Sequence, residues 1–271
     1  MYQMLAKVLL NIRGNLVPIQ LREPRCKIYL FDDSIWSLLR EIYLLEIYGE
    51  IKDLRGIVID AGAHCGLFSI PASFYVSEVI SIEPNPISLK ILELNKLINM
   101  RENIKILPFA LYHIKDKVKL KISEFSEEST ISKEGDLQVQ TITLDEILKD
   151  YTEISLLKID IEGSEFEVLL NTSAENLQKI NKIVGELHYE NESLRDKLRD
   201  YLESVGFEFE EFEKSTIYNS KSISKVLKNS KNIEGQFYRK ITNYIYLILP
   251  IRKPIRSLKK TTLFVARKIK T

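Results

Sequence analysis

Val58-Ile59-Asp60-Ala61-Gly62-Ala63-His64-Cys65-Gly66 decides how the rest of the chain is read. With Gly56 and Ile57 in front, its first half is a short unbroken apolar run. That is the pattern of a strand buried on both faces of a parallel sheet. Its second half puts two glycines where the strand should become a helix. Ligands of such sheets sit outside the carboxyl ends of the strands, and glycine lets the backbone approach them closely. Alone, a glycine pair is better explained by a tight turn.

Working outward, the pattern alternates. Upstream, Asp32, Asp33 and Ser34 offer N-caps for a helix from Ile35 to about Tyr48, closed by Gly49. Downstream come a helix over Cys65–Phe74, a strand at Val79–Glu83, a helix at Pro86–Asn99 and a strand at Ile104–Leu107. Val118–Ile122 and Leu137–Thr143 read as extra strands around a polar loop. Further strands follow at Ile154–Asp160, Ile183–His188 and Phe207–Phe212, with a helix at Glu192–Ser204. After a polar stretch at 214–236, Tyr244–Leu249 reads as a last strand, a hairpin partner for 207–212. Strands alternating with helices predict an α/β fold: a mostly parallel, Rossmann-like sheet with helices on both faces. The expected organisation is a helical lead-in at 1–54, one domain at 55–250 and a basic tail at 251–271.

Composition narrows the class. The chain has 271 residues, 45% hydrophobic and 28% charged, which is ordinary for a folded domain. Two cysteines, Cys26 and Cys65, cannot form a disulfide framework, so a reducing, cytoplasmic setting is expected. The longest apolar run, Tyr244–Leu249, is far short of the roughly 20 residues that span a bilayer. The net charge of +1 is unevenly spread: 251–271 holds eight Lys/Arg and no acid. As a helix from Pro254, this tail puts Ile255, Leu258, Thr262, Val265 and Ile269 on one stripe. It reads either as an interfacial helix facing anionic lipid at the inner membrane surface, or as a helix packed on its own domain or on a second copy.

Glu83 gives the glycine loop a meaning. It ends the second strand, 23 residues beyond Asp60. There a carboxylate accepts both hydroxyls of a ribose. The glycines are spaced Gly62-x-x-x-Gly66, wrong for the dinucleotide pattern, and no phosphate-binding loop is present. A cofactor with ribose but no pyrophosphate fits better, and S-adenosyl-L-methionine is the expectation.

Four blocks carry a resemblance: Val58 to Gly66; Ile82-Glu-Pro-Asn-Pro86 continuing to Asn95, Asn99 and Asn103; Thr143-Leu-Asp145; and Leu156-Leu-Lys-Ile-Asp-Ile-Glu-Gly-Ser-Glu165 followed by Gly185-Glu-Leu-His188. The chain resembles the FkbM family of S-adenosylmethionine-dependent methyltransferases over residues 55–190. The resemblance implies the class I methyltransferase three-layer sandwich, with an antiparallel strand near the C-terminus, and O-methylation of a hydroxyl. It places Asp60, Gly62, Ala63, His64, Gly66, Glu83, Pro84, Asn85, Ala110 and Asp160 around the cofactor. His64 stands where the family usually has Asn. No acid follows the third strand to hold an adenine amine, so main-chain contacts near Ala110 are expected instead.

A hydroxyl is a weak nucleophile, so a positioned base should take its proton. Asp160, Glu186 and His188 end two central strands, and His188, which titrates near neutrality, is the preferred base. A hydrogen-bonded strand-end histidine is the plainer reading. Glu186 could orient that ring, bind the acceptor or face the sulfonium. Lys158 needs a partner, Asp160 or Glu162, and is structural first and catalytic second. Glu165 is accounted for by the helix dipole. Asp160 with Glu186 is too little to claim a metal, so none is expected. The expected partner is a small-molecule or glycan acceptor. Nucleic acid is not expected, and self-association is left open. The rival readings are a methyltransferase acting on RNA or protein, and a non-catalytic cofactor-fold module tethered by the tail.

Overall fold

In the computed structural model of the chain, residues 16–31, 39–121, 130–132, 134–135, 137–189, 191–213, 231, 233–234 and 260–269 are described. The expected N-caps at 32–34, the strand at 244–249 and the tail up to 259 lie outside these residues.

The first described elements are a hairpin, β1 (Leu16–Arg22) and β2 (Arg25–Phe31), within the lead-in expected to be helical. The cause is a period of two: Ile19 and Leu21, then Cys26, Ile28 and Leu30, are all buried. Of the helix expected at 35–48, residues 35–38 lie outside the described residues, and Arg40–Leu44 forms a π-helical turn. Past it, Glu46 and Gly49 take positive φ, and Tyr43 Oη donates to the carbonyl of Leu67.

Three parallel strands follow, β3 (Ile57–Ala61), β4 (Glu78–Ile82) and β5 (Ile104–Leu107). Helix α1 (Ser69–Ala72) and helix α2 (Pro86–Ile98) connect them. The helix expected over Cys65–Phe74 begins late because Gly66 has φ +86°, outside helical space. Four short strands then form a small separate sheet: β6 (Ala110–Leu111), β7 (Lys117–Lys121), β8 (Thr130–Ile131) and β9 (Leu137–Ile142). Helix α3 (Leu144–Leu148) leads back to β10 (Leu156–Ile159). Helices α4 (Glu165–Asn171) and α5 (Ala174–Leu177) precede β11 (Lys182–Tyr189), and helix α6 (Glu192–Ser204) precedes β12 (Phe207–Glu213). The last strands are β13 (Ile233–Glu234), which extends the hairpin sheet, and β14 (Lys260–Lys268).

The central sheet has seven strands in the order β5-β4-β3-β10-β11-β14-β12, and β14 alone is antiparallel to its neighbours. Alternate residues feed two cores. Val58, Val79, Leu156 and Val184 face the hairpin and α2. Ile59, Ile80, Leu157 and Ile183 face α4 and α6. Burial on both faces explains why these strands read as unbroken apolar runs.

β14 corrects the reading of the tail. Residues 260–268 are a strand inside the sheet, not one face of an amphipathic helix. Leu263 and Phe264, which the helical stripe left on the wrong side, are buried on opposite faces of the sheet. This segment is an antiparallel partner of β12, while the partner expected at 244–249 lies outside the described residues. Part of the basic excess is matched there, since Arg267 pairs with Glu210 at 2.7 Å.

Two asparagines of the second sequence block fasten the hairpin to the central domain. Asn95 accepts from the Tyr29 amide through Oδ1 and donates to the carbonyls of Tyr29 and Cys65. Asn99 makes the same two-way bond with Lys27. Their amides satisfy the open edge of β2 as a further strand would. Because Asn95 also holds Cys65, the hairpin and the glycine loop share one fastening.

Candidate functional site

β3 and β10 are parallel neighbours, and their register sets Lys158 opposite Asp60. Lys158 Nζ lies 2.9 Å from Asp60 Oδ1, with both side chains nearly inaccessible. This corrects the expected partner of Lys158, which is Asp60 across the sheet rather than Asp160 or Glu162. Burial favours the neutral amine, but the facing charge of Asp60, then that of Asp160, outweighs it and keeps the lysine pKa above its usual value. Nζ also donates to the carbonyl of Gly62 at 3.1 Å. Asp60 Oδ2 accepts from Ser69 Oγ, which meets Ser81 Oγ at 2.7 Å. Buried and fully engaged, Asp60 holds the loop in shape from beneath.

Removing one partner of such a pair leaves a buried charge uncompensated, at a cost of about 3–5 kcal/mol. Lys158→Met is expected to lower the thermal midpoint by about 10 °C. Adding Asp60→Asn should recover part of that loss. Equal midpoints for wild type and Lys158→Met would disprove the pairing.

Above the pair, the loop bends through left-handed residues. Gly62 has φ +78°, and a Cβ there would run into the Asp160 carbonyl oxygen. His64, with φ +49°, is also left-handed. Asn, Asp and His enter that region more readily than other side chains, which accounts for His at a position where Asn is common. The imidazole stays neutral: burial, then the charge of Lys158, lowers its pKa to about 4. Its backbone does the positioning, as the His64 N–H donates to Glu83 Oε2 at 2.8 Å. The Asn85 N–H donates to Glu83 Oε1 at the same distance. Asn85 Oδ1 in turn caps α2 by accepting from Ile87. Gly62, Ala63, His64, Gly66, Glu83, Pro84 and Asn85 are thus one structural unit at the ends of β3 and β4. Ala110 is buried in β6, paired with Thr141 of β9.

The second half of the site surrounds the ends of β10 and β11. Tyr48 Oη donates to Asp160 Oδ2 at 2.8 Å, and Lys158 Nζ sits 5.2 Å from the Tyr48 ring centre. Tyr48 lies 112 positions from Asp160, and no local pattern announces it. Glu165 is fully buried and does more than face a helix dipole. Its Oε1 accepts from the amides of Ile161 and Gly163, closing the turn through left-handed Glu162 and Gly163. The same oxygen lies 3.1 Å from His188 Nδ1.

His188 is therefore not placed as the expected base. Its Nε2 lies 3.5 Å from Glu162 and 3.8 Å from Glu186, so both ring nitrogens face carboxylates. Burial alone would lower its pKa. The bond to Glu165 and the charges of Glu165, Glu162 and Asp160 override that and push it up to about 10. A ring held this way keeps its proton at neutral pH.

The sheet order and the glycine loop over a buried acid define an α/β protein with its site at the carboxyl ends of the central strands. The family model described as the methyltransferase FkbM domain matches residues 60–209. That span is more than half of the sequence, and the chain belongs to the FkbM methyltransferase family. The methyltransferase sdnD of Sordaria araneosa is 24% identical over 190 residues, 56% of this chain and 73% of that protein. Among solved structures, FkbM methyltransferase from Methylobacillus flagellatus KT is 18% identical, with a TM-score of 0.40 over 57% of this chain and 39% of that one. M. jannaschii TYW2, solved in complex with AdoMet, is 13% identical, with a TM-score of 0.46 over 95% and 89% of the two chains. Among the described residues, no helix is long and apolar enough to cross a membrane.

Proposed function

We propose that this chain moves a methyl group from S-adenosyl-L-methionine to a hydroxyl of a sugar, glycan or secondary metabolite. The observation that carries the reading is the Glu83 cradle. Each carboxylate oxygen accepts one backbone N–H, from Asn85 or from His64. Each oxygen keeps a second acceptor position, so the pair suits two ribose hydroxyls. When bound, the cofactor supplies an electrophilic methyl carbon on a sulfonium. The chain's part is to align an acceptor with it and keep water out.

The charge of the site suits that work. Asp160, Glu162, Glu165 and Glu186 gather at the ends of β10 and β11, opposite the glycine loop. Carboxylates there favour a cationic sulfonium and accept hydrogen bonds from hydroxyls. Tyr48 fixes the Asp160 carboxylate. Glu186, buried on the His188 face of β11, takes the proton released by the acceptor hydroxyl. General-base assistance contributes about 10²–10⁴-fold, so Glu186→Gln should cut kcat by about 100-fold or more with cofactor affinity kept. Unchanged kcat would remove Glu186 from the mechanism.

The acceptor class is tested directly. The protein is incubated with labelled S-adenosyl-L-methionine and extract of its source organism, and the label is followed. Label in small metabolites or glycans is expected. Label in RNA or protein would transfer the activity to those acceptors, and absence of label in every fraction would count against turnover.

A further inference from the structure

We infer that Asp160, Glu165 and His188 form a binding site for one divalent first-row metal ion, such as Mn²⁺ or Zn²⁺, at the edge of the acceptor site. Three elements converge there: the end of β10, the start of α4 and the end of β11. The three residues bring one ligand atom each to within 4.8 Å of the others. Neighbouring ligand atoms on a first-row ion lie about 3–3.4 Å apart, so the set closes with side-chain shifts of roughly 1–2 Å. One imidazole with two carboxylates is a donor set for Mn²⁺ or Zn²⁺ rather than for Mg²⁺, which prefers oxygen throughout.

A second observation points to a ligand. Glu165 is 0% exposed, and its Oε2 has no hydrogen-bond partner among the described residues, while Oε1 is anchored by the Ile161 and Gly163 amides. A buried carboxylate oxygen without a donor is costly. A bound cation removes that cost without disturbing the turn that Oε1 holds. The surroundings complete the argument. Lys158 makes its close ion pair with Asp60 at 2.9 Å and acts on Asp160 only by its charge. His188 ligates through Nδ1 by giving up the proton of that atom, so binding releases a proton, while Glu162 and Glu186, 3.5 Å and 3.8 Å from Nε2, are placed as the outer carboxylates that hold the proton left there. Three protein ligands leave positions open, and a hydroxyl entering one of them would have its acidity raised by the ion. This last step rests on the proposed O-methylation, whereas the binding itself does not.

The test uses the full chain stripped with a chelator and titrated with MnCl₂ at pH 7.5, with free Mn²⁺ read by electron paramagnetic resonance. One ion per chain is expected, with a dissociation constant in the micromolar range. His188→Ala should weaken it about 100-fold or more, and Glu165→Gln likewise. Because Glu165 also closes a turn, thermal melting accompanies each variant, and His188→Ala alone decides if Glu165→Gln is unfolded. Wild type without saturable binding, or His188→Ala binding as tightly as wild type, would overturn the site. Calorimetry with S-adenosyl-L-methionine on the same samples separates the two ideas. Cofactor binding without Mn²⁺ binding rejects the metal and leaves the proposed function, and the reverse result rejects the proposed function and leaves the metal.

Discussion

Glu83→Gln is expected to weaken S-adenosyl-L-methionine binding by about 100-fold. A hydrogen bond to a charged group contributes about 1.5–3 kcal/mol, and two ribose hydroxyls meet this carboxylate. The amide keeps one acceptor oxygen and turns an NH₂ toward a backbone N–H that now donates to an oxygen, from His64 or Asn85. Glutamine therefore disturbs one contact on each side, and the loss of roughly 3 kcal/mol corresponds to about 100-fold. The same residue sets a pH dependence. Burial raises the Glu83 pKa from the ordinary carboxylate value to about 7. The amides of Asn85 and His64 and the charge of Lys158 oppose this rise, while Asp60 adds to it. The folded pKa lies above the unfolded one, so the protonated acid is the form the fold favours. The stability it contributes is present below about pH 4.5 and is lost as pH rises through 7. Ribose hydroxyls donate to the ionised form, so binding below pH 7 must release a proton. Affinity should tighten from pH 5.5 to 7, by at most about tenfold per unit, and level off above. In Glu83→Gln the slope should vanish. Calorimetry across pH checks both, and wild-type affinity that is flat over this range, or full affinity in the variant, would remove Glu83 from the cofactor site.

The parts of this site that could be read from sequence are those whose cause is local. β3, β4, β10 and β11 are apolar on both faces, so each announced itself as an unbroken run. Glu83 could be singled out because the ribose-binding role proposed for it follows from standing at the end of the second strand. His64, Glu165 and His188 were visible as residues, but the surroundings that the fold gives them were not. What His64 contributes is a left-handed backbone and an N–H, and a side-chain comparison does not show that. The role of Glu165 depends on His188, 23 positions away, and on the turn through Glu162 and Gly163. Tyr48 could not be found at all, because its relation to Asp160 exists only after β10 is in the sheet. The hairpin was missed for a different reason. Its period of two is clear, but what holds its edge is Asn95 and Asn99 on a helix some 70 residues further on. β14 is the sharpest case. Thr262, Val265 and Ile269 fit a helical stripe, and only the gap between β11 and β12 decides against it.

That gap makes the second large prediction. β14 pairs along its length with β11 on one side and with β12 on the other, from Lys182↔Arg267 to Tyr189↔Lys260 and from Phe207↔Lys268 to Glu213↔Thr262. Leu263, Phe264 and Ala266 are buried, and Phe264 stacks on Phe209 at 5.7 Å. Truncating a buried Phe to Ala alone costs about 3–5 kcal/mol. Removing the whole strand also strips β11 and β12 of the hydrogen bonds between them. The combined loss exceeds the roughly 5–15 kcal/mol by which a domain is stable. A chain lacking 251–271 should therefore fail to give a cooperative thermal transition and should expose its sheet to aggregation. Had the segment been a solvated basic helix, the deletion would leave the melt unchanged. A second variant separates charge from strand: Arg252, Lys253, Arg256 and Lys259, all outside β14, changed together to Gln. If the strand and not the charge carries the stability, it should melt within a few degrees of wild type, since charge changes away from buried contacts usually stay within about 0.5 kcal/mol each. A truncated chain that melts like the full one would return β14 to the surface and reopen the amphipathic reading. A charge variant that unfolds would show that the basic residues before β14 hold the strand in place. The uneven charge along the sequence is then partly a matter of sheet assembly. β12 carries Glu208, Glu210, Glu211 and Glu213, and β14 brings Arg267 to within 2.7 Å of Glu210. Acid and base far apart in sequence end as neighbours, although a half-exposed pair adds only about 0–1 kcal/mol, so it is the buried Leu263, Phe264 and Ala266 that hold the strand between two others.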